Sequence, residues 1–146
     1  MAMKTLPCAI LLLLTAAAAA EPPLDRSGRP REGKASWYGG EFAGKPMADG
    51  TPMKPQSNNA ASKTLPLGTK ARVTNLDNGK SAVVEIRDRG PYVDGRIVDV
   101  SPHTAKQLGM KQRGVAPVEV APIELPQDDG GVKGGAGKPT RQASAR

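Results

Sequence analysis

The chain has 146 residues, 38% of them hydrophobic and only four aromatic, with a formal charge of +7. That composition allows one domain with a modest core and flanking segments. The basic residues are scattered rather than gathered in runs, and no recognition helix or RNA-binding motif is present, which excludes nucleic acid as the partner. One histidine and one cysteine leave too few ligands for a transition-metal centre, and neither a metal nor another cofactor is expected.

Residues 1–20 read as a secretory signal. Lys4 supplies the positive start, residues 6–14 an apolar run, and Ala18-Ala19-Ala20 a small-residue cleavage site before Glu21. The run is too short to span a bilayer. Cys8 precedes most of that run instead of lying at the cut, so no lipid anchor is expected. The expected location is the periplasm or cell envelope. Residues 21–32, rich in proline, arginine and polar side chains, read as a flexible lead-in.

The domain is expected over residues 33–125. A first strand over residues 34–38 ends at Gly39-Gly40, and residues 43–62 read as a long loop. β-rich runs at 70–76 and 81–87 flank Asp77-Asn78-Gly79, a hairpin signal that asks for positive φ at both central residues. A further strand covers 96–100. Ser101 then caps a helix from Pro102 to about Leu108, with Gly109 as the stop. A last strand follows over 114–123. Several short strands and one short helix in so few residues suggest a small barrel. Residues 126–146, made of Gly, Lys and Ala without apolar period, read as a disordered basic tail.

Asp88-Arg89-Gly90-Pro91-Tyr92 leaves one strand and leads to Gly95-Arg96-Ile97-Val98-Asp99-Val100-Ser101. With GKASWYGGEFAGKPMADGT, SKTLPLGTKARVTNLDNGKSAVVEIRDRGPY and GRIVDVSPHTAKQLGM, in order and at matching spacing, the chain resembles the rare lipoprotein A (RlpA) family over residues 33–123. The resemblance implies an all-β fold, a six-stranded double-psi β-barrel with one or two short helices. It also implies an envelope lyase, a lytic transglycosylase that cuts peptidoglycan strands lacking stem peptides and leaves 1,6-anhydro ends. Peptidoglycan is then the partner, with an envelope protein as a further one, and the chain is read as a monomer.

The family's aspartate matches Asp88, the catalytic candidate. Its Glu and His positions are Thr51 and Ser62 here. The alternative is therefore an expansin-like module that binds wall glycan without cutting it. One carboxyl is enough for cutting in principle, because the attacking group is the sugar's own tethered C6 hydroxyl. Trp37, Tyr38 and Tyr92 are candidate platforms for sugar rings. Thr51, Ser62 and Arg89 complete the expected substrate contacts. Phe42 is expected in the core, Glu41 on the surface, Asp49 as a solvated loop residue and Asp99 as a buttress.

Overall fold

The computed structural model describes residues 23–138. The signal read over residues 1–20 lies outside them. Seven strands form in chain order: β1 Arg31–Trp37, β2 Asn59–Ala61, β3 Lys70–Asn75, β4 Ser81–Asp88, β5 Arg96–Val100, β6 Ala116–Pro126 and β7 Val132–Gly134. The first six close on themselves in the order β1, β5, β2, β4, β3, β6, with β6 pairing back onto β1. The pairs β1–β5 and β2–β4 run parallel and the rest antiparallel. This closed mixed ring is the six-stranded double-psi β-barrel, and closure removes the bare edges that an open sheet would present.

Alternation along the strands builds the core. On β4, Ala82, Val84 and Ile86 are buried while Val83 is exposed and Glu85 half-buried. On β3 the buried pair is Ala71 and Val73, and on β5 Val98 and Val100. Leu108, Met110, Val118 and Leu125 fill the remaining space. Small and β-branched residues suit a ring this narrow. Truncating a fully buried Ile86 to alanine is worth about 2–5 kcal/mol of stability.

The helix α1, Pro102–Gln107, starts as the sequence predicts: the Ser101 hydroxyl accepts from the Thr104 amide. Its far end is tied to the β3–β4 hairpin, because Asn75 and Asn78 both donate to the Leu108 carbonyl. That tie explains a difference in the turn. Only Gly79 takes positive φ, at 74°. Asn78 keeps an ordinary backbone and spends its side chain on Leu108 and the Lys80 amide.

Two segments differ from the sequence reading. The expected loop over 43–62 contains β2, whose three residues are all buried and therefore lack the alternation that marks a strand. The lead-in and tail are ordered where described. Asp25 donates its amide to the Thr64 carbonyl, and β1 already begins at Arg31. Residues 126–138, expected as disordered tail, continue along β6 through β7 and through bonds from Gly135 and Gly137 to Ile123 and Pro122. The glycines are the reason: a Cβ on Gly135 or Gly137 would lie 2.3 Å from a β6 carbonyl oxygen. Only a chain without side chains lies this close to β6.

Candidate active site

β4 and β2 are in parallel register at Ala60–Ile86 and Ala61–Asp88, so Arg87 is skipped. Such a bulge re-aims the side chain beside it. Asp88 is half-buried and is the last residue of β4, where the barrel wall ends. It emerges in an open groove of about 440 Å³ shared with Trp37, Tyr38, Phe42, Tyr92 and Asp99.

Three donors converge on the Asp88 carboxylate. The Tyr38 hydroxyl donates to Oδ2 at 3.0 Å, and the Ala48 and Arg89 amides donate to Oδ1 at 2.9 and 2.8 Å. Neither neighbouring arginine pairs with it. Arg87 turns to Asp49 and Glu85, both at 3.3 Å. Arg89 lines the groove, but its guanidinium donates to the Ser62 and Leu65 carbonyls at 3.1 and 2.7 Å. The carboxylate is thus oriented by neutral donors and left without a counter-cation among the described residues.

A second carboxyl, which sequence reasoning assigned to buttressing, faces the same groove. Asp99 lies between the buried Val98 and Val100 on β5, so alternation turns it to the other side of the strand. Burial pushes its pKa up from the ordinary aspartate value. The hydrogen bond from the Ser36 hydroxyl and the charge of Arg96 pull it back part of the way, and the Asp88 charge adds to the rise. The signal in the sequence was a lone acid flanked by valines on a strand.

The predicted contacts divide. Trp37 is half-buried, packs on the core and lines the groove, with the Lys111 ammonium 5.9 Å from its ring centroid. Tyr92 stands at the rim, 79% exposed. Tyr38 also lines the groove, but it is buried and its hydroxyl donates to Asp88. Burial, then the Asp88 charge, hold that hydroxyl well above the ordinary phenol range, so it remains a donor. Ser62 is a correction: it is buried, and its hydroxyl accepts from the Thr64 and Leu65 amides to shape a turn. Thr51 faces a separate depression beside Lys54, Asn59 and Arg87, and its amide and hydroxyl both donate to Asp49. Asp49 is in consequence not merely solvated. Burial acts to raise its pKa, but the bonds from Thr51 and Arg87 outweigh it and hold the carboxyl below its usual value.

Phe42 is 44% exposed and also lines the groove, edge-on to Tyr38 with centroids 5.7 Å apart, where the sequence reading placed it in the core. Its polar surroundings at Glu41 and Lys45 would have been the clue. Glu41 joins the same groove. Among the described residues, no three acidic, histidine or cysteine side chains gather as a metal site.

The closed barrel with an open groove lined by three carboxyl groups, Glu41, Asp88 and Asp99, and by Trp37, Phe42 and Tyr92 defines a small double-psi β-barrel domain. The chain belongs to the double-psi barrel family described as lytic transglycolase, whose model matches residues 31–120. It is 50% identical over 91 residues to the "Probable endolytic peptidoglycan transglycosylase RlpA" of Nostoc sp., a match covering 61% of this chain and 24% of that one. It is 47% identical over 98 residues to the "Endolytic peptidoglycan transglycosylase RlpA" of Vibrio cholerae, covering 67% and 37%. The chain thus spans well under half the length of the curated relatives it matches. Among solved structures it is similar to the Streptomyces papain inhibitor, with a TM-score of 0.51 and 26% identity, covering 64% of this chain and 94% of that one.

Proposed function

We propose that this groove cleaves peptidoglycan glycan strands by lytic transglycosylation. The observation that carries the reading is the unequal pair of carboxyl groups, with Asp99 raised by burial and Asp88 addressed by three donors. Asp99 in its protonated form gives a proton to the glycosidic oxygen as the bond from that oxygen to the anomeric carbon breaks. The C6 hydroxyl of the same sugar bonds to the anomeric carbon, and its proton passes to Asp88. One proton is delivered and one accepted, no water is consumed, and a 1,6-anhydro ring results. Tethering of the hydroxyl supplies a large effective concentration, on the order of 7–11 kcal/mol of barrier in ideal cases. Trp37, Phe42 and Tyr92 line the same groove and are the proposed contacts for sugar rings. Neither Thr51 nor Ser62 is needed for these steps.

The test is digestion of purified strands lacking stem peptides, with products read by mass spectrometry. Anhydro-ended fragments that vanish in Asp99→Asn are expected. Tight binding with no fragment would instead mark a glycan-binding module. The chain acts in the envelope, a reading supported by Lys4, the apolar run over 6–14 and Ala18-Ala19-Ala20. An exported form beginning at Glu21 is the expected result of N-terminal sequencing, and a cytoplasmic form beginning at Met1 would oppose it.

A further inference from the structure

A second cavity, about 90 Å³ and separate from the groove, lies between the lead-in and the barrel wall. Its floor is aliphatic: Leu65, Ile97, Val120 and Pro122. The remaining lining is rich in cations, with Arg29, Arg31 and Lys63. The one acid there, Asp25, is already engaged. Its Oδ1 accepts from the Ser27 amide and its Oδ2 from Arg31 at 2.7 Å, and its side chain is 9% exposed. Arg29 and Lys63 form no ion pair among the described residues, so the cavity keeps an unbalanced positive charge above an apolar floor.

The wall of this cavity is fixed in place. Asp25 donates its amide to Thr64 at 2.7 Å, Ala136 donates to the Gly28 carbonyl at 2.9 Å, and Arg26 pairs with Asp128 at 2.8 Å. Asp25 and Arg29 lie outside the residues the family model matches. The cavity also shares a wall with the groove, since the Arg89 guanidinium that lines the groove is bonded to the Ser62 and Leu65 carbonyls. A cation above aliphatic side chains selects an anion that carries its own small apolar group. Phosphate and sulfate have none, whereas a carboxylate on a methyl-bearing carbon has both parts.

We propose that this cavity is a second binding site, for the methyl-bearing carboxylate ends of the wall polymer. Two sources share that chemistry: the lactyl group of muramic acid where no peptide is attached, and the D-alanine at the end of a stem peptide. The inference rests on the proposed substrate class but not on cleavage in the groove. A small aliphatic pocket takes the methyl, and a guanidinium or ammonium takes the carboxylate.

Titration of the full chain with the N-acetylglucosaminyl–N-acetylmuramic acid disaccharide, followed by amide NMR, tests it. The disaccharide carries no scissile linkage, so a chain that cleaves nothing still reports. A second arm uses an acylated D-alanyl-D-alanine, and the controls are the methyl amides of both. The expected result is that at least one free acid shifts residues 63–65 and 97 while its amide does not. Whichever acid does so identifies the source. Arg29→Gln and Lys63→Gln should each weaken that binding about fivefold, the scale of one charge-assisted bond at a partly exposed rim. Equal binding of acid and amide, shifts confined to the groove, no binding by either acid, or full affinity in both variants would overturn the proposal. Such a failure would leave product formation by the groove untouched.

Discussion

Asp88 and Asp99 face one groove from adjoining regions of the barrel, yet their surroundings differ in kind. Asp88, at the free end of β4, meets a phenol and two backbone amides. Asp99, in the body of β5, meets burial, a serine hydroxyl and the field of Asp88. Two side chains of the same type thereby gain different chemistry from position alone. The end of a strand offers unpaired amides, whereas the middle of a strand offers burial. The proposed division of labour between proton donor and proton acceptor rests on that contrast.

The contrast breaks most visibly if its donor is removed. Asp99→Asn keeps the shape but loses the transferable proton, and should lower the rate of anhydro product formation by about 10²–10⁴. A rate within twofold of the parent would return the acid role to Asp88. Tyr38→Phe removes one of three donors to Asp88 and should lower the rate about fivefold to tenfold, as expected for one hydrogen bond of about 1 kcal/mol. Substrate affinity should change little in that variant, because the Tyr38 side chain is buried and phenylalanine keeps its ring.

Smaller effects sharpen the comparison. The folded-state pKa of Asp99 is raised, so its contribution to stability is full below the ordinary aspartate value and is lost as pH rises through the raised one. The melting temperature of Asp99→Asn relative to the parent should therefore climb as pH rises from the ordinary aspartate value through the raised one. A flat difference would mean that burial does not perturb Asp99. Ser36→Ala removes a bond that favours the charged carboxylate, so the alkaline limb of the pH–rate profile should move to higher pH.

Much of this was legible in the residues. The β-rich runs on either side of Asp77-Asn78-Gly79 announced β3 and β4, Ser101-Pro102 announced the helix, and Asp88-Arg89-Gly90-Pro91 singled out Asp88. What was not legible depends on contacts distant in sequence. β2 is hidden because its alanines are buried on both faces. Residues 126–138 have the composition of a disordered tail, but Gly135 and Gly137 are what permit the segment to lie on β6. Ser62 and Thr51 read as polar contacts because sequence shows a hydroxyl and not its partner. Each hydroxyl is already used, by the Thr64 and Leu65 amides in one case and by Asp49 in the other. Asp99 was assigned a structural role because its depth in the wall and its nearness to Asp88 emerge only on closure of the ring.

Carbon-13 NMR titration of the Asp99 side-chain carboxyl reads the donor role directly. The midpoint should lie above the ordinary aspartate value in the parent and fall when Asp88→Asn removes the neighbouring charge. A midpoint at or below the ordinary value, or one indifferent to Asp88, would contradict the division of roles between the two groups.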